Sequence, residues 1–212
     1  MKLNYSQQYW NKVANEKTFT HPLNISFLEK FVSKDSCIVD YGCGYGRIVK
    51  ELNDNAFNDV KGFDFSVELI NRGHKIGVEN IFQIDSASDL PIENNSVDCF
   101  LLFAVLTCIP GNKSQMELIE ILFSKLKTGG IIYISDYYLQ TNSVEVNRYK
   151  YLNDDIENYG VFTLPDGATF RHHSKVWIKE LLKDFRAIHE KSIEVKTMNG
   201  NSAAAFQIIA KK

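Results

Sequence analysis

Val39-Asp40-Tyr41-Gly42-Cys43-Gly44-Tyr45-Gly46-Arg47 is the stretch that decides the fold of this 212-residue chain. It follows a short apolar run, Ser36-Cys37-Ile38-Val39-Asp40, and opens a segment of helical period from Tyr45 to Leu52. Glycines between a strand and a helix let the backbone turn sharply and let a ligand approach without meeting a Cβ. The spacing then narrows the ligand. The dinucleotide fingerprint G-x-G-x-x-G would need glycine at position 47, where Arg47 stands, and the phosphate-cradling G-x-x-x-x-G-K-[ST] is absent. What remains is D-x-G-x-G-x-G, with Asp64 closing a second strand-like run and Asp85 closing a third. A carboxylate at the second strand tip can accept two hydrogen bonds from a ribose diol, and one at the third can meet an adenine amino group. Arg47 is the cation the loop offers, too little for a pyrophosphate. The site suits an adenosine without phosphates.

Outward from this loop, short apolar runs alternate with helical segments. Strands are expected at Ser36–Asp40, Asp59–Asp64, Asn80–Asp85, Val97–Phe103 and Ile131–Asp136. The almost wholly apolar fourth run reads as a central strand covered on both faces. Ser66 is placed to cap a helix reaching Gly77, and Ser114-Gln115-Met116-Glu117 reads as a capping box for a helix ending at Lys127, with Gly129 as its stop. Such alternation means right-handed crossovers and a parallel sheet. A helix over Ser174–Phe185 precedes two further strands, Ile188–Thr197 and Ala203–Ala210, joined by Met198-Asn199-Gly200-Asn201, a hairpin signal that adds antiparallel strands to the sheet. Helices are expected around Ser6–Asn15 and Pro22–Val32, and Tyr137 to His173 carries no assignable pattern.

Composition bounds the function. A hydrophobic fraction of 44% supports one packed domain, and 24 Lys and Arg against 26 Asp and Glu speaks against a surface built to coat nucleic acid. No apolar stretch is long enough for a membrane span, and the polar start lacks a signal-peptide core. Cys37, Cys43, Cys99 and Cys108 form no C-x-x-C pair, so a reduced cytoplasmic enzyme is the expectation.

The residues from about Cys37 to Asp136 resemble the class I S-adenosylmethionine-dependent methyltransferases of the small-molecule type. The glycine motif, Asp64 and Asp85 fall at that family's spacing, and Leu126-Lys127-Thr128-Gly129-Gly130 is similar to its turn into strand five, with Thr128 where proline is usual. Tyr41 replaces the usual small aliphatic residue. The resemblance implies an α/β, Rossmann-like, doubly wound seven-stranded sheet, mostly parallel with an antiparallel C-terminal hairpin strand. It implies one methyltransferase domain over 1–212: a helical lid (1–34), a cofactor-binding core (35–136), a substrate-covering insert (137–173) and a final helix and hairpin (174–212). Carried over residue by residue, it places Asp40, Gly42, Cys43, Gly44, Gly46 and Arg47 at the methionine portion of S-adenosylmethionine and Asp64 on the ribose. Phe65, Asp85, Ser86 and Ala87 go to the adenine, and Phe103 and Ala104 lie under the sulfonium. Tyr5, Tyr9 and Trp10 are similar to the family's aromatic lid.

The acceptor is read less directly. The amide- and adenine-methylating motif [N/D]-P-P-[Y/F] is missing after strand four, where Phe103-Ala104-Val105-Leu106-Thr107-Cys108-Ile109-Pro110 stands. A small-molecule acceptor methylated on O, N or S is therefore expected. Within the insert, His172 and His173 are candidates to take a proton, Arg171 to pair with an acidic group, and Tyr138, like Tyr9, to wall the substrate; Arg148 and Lys150 are expected in solvent. No third ligand is spaced to join the two histidines in a metal site. The same residues leave open a polar segment leading into the Ser174-capped helix, a nicotinamide-dependent oxidoreductase, a non-catalytic S-adenosylmethionine-binding protein, and an RNA or protein methyltransferase. Oligomeric state is not written in the pattern.

Overall fold

In the computed structural model, which describes residues 3–150 and 159–212, seven strands form one sheet. They are β1 (Cys37–Tyr41), β2 (Asp59–Asp64), β3 (Ile81–Gln83), β4 (Val97–Phe103), β5 (Leu126–Tyr137), β8 (Arg186–Lys196) and β9 (Ser202–Lys211), in the order β3-β2-β1-β4-β5-β9-β8. The first five run parallel, while β9 is antiparallel to both β5 and β8. The expected sheet, with its antiparallel C-terminal strands, is the one found. The turn at Thr197–Asn201 closes through Thr197 N–H to Asn201 O at 2.8 Å, with Gly200 at φ +83°.

Alternation along the central strands sorts their side chains into two layers. Phe100 and Leu102 of β4 and Ile132 and Ile134 of β5 pack with Leu118, Ile119 and Leu122 of α5 (Asn112–Lys125) and with Ile178 and Leu181 of α7 (Lys175–Leu181). Their neighbours Cys99, Leu101, Ile131 and Tyr133 face the other way, onto Ile48, Val49 and Leu52 of α3 (Arg47–Asp54) and Ile70 of α4 (Val67–Lys75). Helices thus cover both faces, as an apolar central strand requires.

Helix ends agree where a side-chain cap decides them. Ser66 Oγ accepts from Leu69 N–H and Ser174 Oγ from Trp177 N–H. The capping box at Ser114 does not form, because the helix begins at Asn112 behind Gly111 and Ser114 lies inside its first turn. The expected N-terminal helices are displaced: α1 spans Leu3–Val13, and the second shrinks to α2, Ile25–Leu28, capped by Asn24. Residues 126–130 belong to β5 itself rather than to a turn before it.

The unassigned stretch contains α6 (Ser143–Lys150) and a small antiparallel hairpin, β6 (Val161–Thr163) with β7 (Thr169–Arg171); residues 151–158 lie outside the described residues. The hairpin is tied to the main sheet through buried polar groups. Gln115 Nε2 donates to the carbonyls of Leu106 (2.9 Å) and Ile109 (2.6 Å) and lies 3.0 Å from His173 Nε2, while its Oε1 accepts from Trp177 Nε1–H at 2.7 Å. Gln115 is 0% exposed, so truncation strands these partners without water. Gln115→Ala is expected to cost about 2–4 kcal/mol, visible in thermal melts as a fall of about 2–4 °C per kcal/mol; an unchanged melt would show that the network contributes nothing.

Candidate functional site

The loop after β1 is shaped by three glycines in the left-handed region: Gly42 (φ +73°), Gly44 (+58°) and Gly46 (+76°). Gly42 N–H and Cys43 N–H both donate to Phe63 O at the end of β2, at 2.7 and 3.1 Å. Gly44 N–H donates to Asp64 Oδ2 at 2.8 Å, and Ser66 N–H to Asp64 Oδ1 at 2.8 Å. One carboxylate therefore pins the loop after β1 to the turn after β2. Burial raises the Asp64 pKa, opposed by the backbone N–H groups of Ser66, Gly44 and Phe65. Each carboxylate oxygen keeps a lone pair for a further partner.

Asp40, one turn below, is 2% exposed and accepts no hydrogen bond from any described residue. Burial pushes its pKa up to about 8, with Arg47 pulling down and Asp64 adding to the rise. Arg47 is committed elsewhere: Nη2 donates to His21 O at 2.5 Å, and Nη1 lies 3.4 Å from Glu51.

A cavity of about 1800 Å3 runs from this loop across the carboxyl ends of the strands. Asp40, Gly42, Cys43, Arg47, Asp64, Phe65, Ser86, Ala87, Phe103 and Ala104 all line it. Ala104 holds φ +58° at the end of β4, an unusual conformation for a residue with a Cβ. Its N–H donates to Ser135 O at 2.8 Å. The far end is aromatic: Tyr9, Trp10, Tyr137, Phe162 and Phe170 face it together with His172. The Tyr5 side chain lies outside the described residues. The volume exceeds the few hundred to a thousand cubic ångströms of a one-ligand pocket and offers room for two molecules side by side.

Six expected residues stand elsewhere. Gly44 is covered by Phe19, whose ring a Cβ there would meet at 2.0 Å, and Gly46 packs against Val78 and Ile81 as the N-cap of α3; both shape the loop from behind. Asp85 is exposed on the outer side of β3, where it accepts from Gln83 Nε2 at 2.8 Å, while Ile84, Ser86, Ala87 and Ser88 around it line the cavity. Tyr138 follows the alternation of β5 to the opposite face, where it packs on Phe206 and its hydroxyl donates to Glu190 at 2.9 Å. Arg171 points away from the cavity, donating to Pro110 O and Asn112 Oδ1 and lying over Trp177 at 4.9 Å. The adjacent histidines point apart because they follow the pleat: His172 faces the cavity and His173 the Gln115 network. Arg148, expected in solvent, lies over the Phe162 ring at 5.0 Å and lines the cavity; the Lys150 side chain lies outside the described residues. Conversely, Phe19, Thr20 and His21, which lie between the two expected N-terminal helices and were not singled out in the sequence, line the cavity. The His21-Pro22 dipeptide, which holds His21 extended, is the signal that could have found them.

A family model described as a methyltransferase domain matches residues 33–196. The chain belongs to that family. A solved S-adenosylmethionine-dependent methyltransferase from Methanosarcina mazei superposes with TM-score 0.81 at 25% identity, covering 90% of this chain and 98% of that one. A 1,6-didemethyltoxoflavin-N1-methyltransferase from Burkholderia thailandensis, solved with its substrate and S-adenosylhomocysteine, gives TM-score 0.62 at 14% identity over 88% of this chain and 75% of that one; it shares the fold. A Dictyostelium discoideum protein named O-methyltransferase 3 is 34% identical over 119 residues, and the chain spans 26% of its length. The protein is an S-adenosylmethionine-dependent methyltransferase. The cavity fits that cofactor on its own evidence, since a buried carboxylate without a hydrogen-bond partner, Asp40, suits an ammonium group and the loop beside it carries no side chain at Gly42.

His173 supplies a test of its structural role. It is 0% exposed, and its pKa is lowered to about 3 by burial first, then by Arg171 and His172. The unfolded chain binds a proton at this residue below about pH 6.5 that the folded chain does not take up until about pH 3. The folded state therefore loses stability as pH falls below about 6.5, by about 1.4 kcal/mol per pH unit for one such group. Melts of wild type and His173→Gln between neutral and mildly acidic pH should converge as pH falls; a constant gap would mean His173 takes up its proton equally in the folded and unfolded chain.

Proposed function

We propose that this chain moves a methyl group from S-adenosylmethionine to O, N or S of a small-molecule acceptor, by in-line displacement within the described cavity. The observation that carries this reading is the cavity's lining, which brings the carboxylates Asp40 and Asp64 of the loop side together with the rings of Tyr9, Trp10, Phe162 and Phe170 in one space. The N-terminal residues 1–34 and the insert 137–173 act as its lid and substrate cover, over a core of 35–136. The O-methyltransferase relative and the heterocycle-methylating neighbour support a small acceptor.

S-adenosylmethionine, when bound, supplies a methyl carbon already activated by a positive sulfur. The residues supply the rest. Asp40 and the loop backbone from Gly42 hold the methionine portion, Asp64 the ribose hydroxyls, and Phe65, Ser86 and Ala87 the adenine. Phe103 and strained Ala104 place the reacting centre at the end of β4. Alignment and exclusion of water then carry most of the acceleration. Tyr9 walls the acceptor, and His172, held neutral at a pKa of about 3 by burial and then Arg148, accepts a hydrogen bond or proton from it.

Asp64→Ala should weaken S-adenosylhomocysteine binding by about 1.5–3 kcal/mol, and Gly44→Val should abolish it, because a side chain at φ +58° meets the Phe19 ring. Calorimetric titration reads both; full affinity in Asp64→Ala removes Asp64 from the cofactor site, and full affinity in Gly44→Val shows that the path of the loop does not govern binding. His172→Ala should slow methyl transfer about tenfold, as loss of a weak proton acceptor and orienting ring does, with S-adenosylhomocysteine affinity intact, measured on the acceptor returned by a metabolite screen. Full turnover would return His172 to packing.

A further inference from the structure

His21 is 3% exposed, lines the cavity, and has one ring nitrogen without a partner. Its Nδ1 lies 2.9 Å from Ser135 Oγ. Among the described residues, the Ser135 hydroxyl has this nitrogen as its hydrogen-bond partner, and a hydroxyl proton buried at 0% exposure needs an acceptor. Ser135 therefore donates to Nδ1, which leaves the proton of the neutral ring on Nε2. That Nε2–H is the unpartnered atom.

The surrounding contacts hold the ring in place. Arg47 grips the His21 carbonyl at 2.5 Å, and Gln207 Nε2 donates to Pro22 O at 2.8 Å. The Thr20 hydroxyl donates to Lys196 O. Ser135 pairs with Phe103 across β4 and β5 and accepts from Ala104 N–H, so His21 stands over the strand ends where the reacting centre is placed. From it a wall of rings continues, with centroids 4.6 Å from His21 to Tyr137, 5.3 Å from Tyr137 to His172 and 4.8 Å from His172 to Phe162.

We propose that His21 is an acceptor-binding residue: its Nε2–H donates a hydrogen bond to an oxygen on an uncharged aromatic methyl acceptor packed among the edge-to-face and tilted rings of His21, Tyr137 and His172. The proposal rests on the methyltransferase reading above and adds the acceptor's class and the group that orients it. A buried donor without a partner costs the fold free energy, and an acceptor oxygen that displaces the side chains now covering Nε2 removes that cost on binding. Burial, with Arg47 next, holds the imidazole pKa down to about 4, so the ring offers a donor without positive charge beside a cationic cofactor.

The test uses the full chain loaded with S-adenosylhomocysteine and titrated with methyl 4-hydroxybenzoate, a neutral phenol. Wild type should bind the phenol saturably. His21→Phe should weaken binding about tenfold, the worth of one buried hydrogen bond, and His21→Gln, whose amide can donate from the same place, should stay within about threefold. S-adenosylhomocysteine affinity should hold in both variants, with melts confirming the fold. Long-range 1H–15N spectra should show His21 as the neutral Nε2–H tautomer. Equal phenol binding by His21→Phe, parallel loss of both ligands, an Nδ1–H tautomer, or no saturable phenol binding by wild type would each overturn the proposal. Failure of S-adenosylhomocysteine to bind wild type would instead strike the cofactor reading, and this one with it.

Discussion

The Asp64 carboxylate holds two strand ends in one geometry. It receives Gly44 N–H on one oxygen and Ser66 N–H on the other, so the turn after β1 and the turn after β2 cannot move independently. Burial makes this carboxylate reluctant to ionise, and backbone N–H groups are what offset that. The glycines follow from the same constraint. A loop that brings Gly42 and Cys43 N–H to Phe63 O and Gly44 N–H to Asp64 must pass through positive φ three times, which residues with a Cβ resist. Sequence, loop path and ligand-facing polarity are thus one solution to one backbone problem.

The other half of the cavity is held by neutral amides and imidazoles. Gln115 joins the end of β4, the insert hairpin and α7. Gln140 does the same toward β9, donating to Tyr138 O and Ala204 O and accepting from Ala204 N–H at 2.8 Å. The N-terminal cover is tied down as well: Arg72 donates to Ala14 O and Lys17 O, and Gln207 to Pro22 O. Charged groups at the Gln115, Gln140 and Gln207 positions would carry a desolvation penalty, which a side-chain amide avoids while still satisfying backbone groups.

What was legible in the sequence follows from which interactions are local. The strand–glycine–helix order, the Ser66 and Ser174 caps and the Asn-Gly turn are each decided within a few residues, and each stands where the pattern places it. The Ser114 box failed because Gly111 starts the helix earlier, and α2 shortened because Pro22 to Asn24 runs extended into it. The insert was opaque for a physical reason: its hairpin strands are three residues long and are anchored through Gln115 and Tyr137, both distant in sequence. Spacing placed Asp85 and Tyr138 correctly along the chain but not on the right side of a strand. Arg171 to His173 shows the same limit. A pleat alternates direction at every residue, so a run of functional-looking residues cannot all face one site, and here the middle one does.

The histidines show what kind of chemistry the cavity suits. His172 is held at a pKa near 3 by burial and then Arg148, and His21 near 4 by burial and then Arg47. An imidazole so reluctant to become imidazolium is a weak general base, since proton abstraction from a neutral hydroxyl or ammonium gains with base strength. It is a good hydrogen-bonding surface. Methyl transfer from a sulfonium tolerates that exchange, because the electrophile carries the activation and the enzyme's task is orientation in a dry site. Arg47 and Arg148 already line the cavity, and a further cation on the imidazoles would raise the cost of bringing in a positively charged cofactor, at an effective dielectric far below that of water. Burial that keeps both rings neutral therefore gives up base strength and gains compatibility with the sulfonium. Under the proposed function the acceptor's proton would leave late, after the carbon–nucleophile bond has begun to form and the acceptor atom has become acidic enough for a weak imidazole to take it.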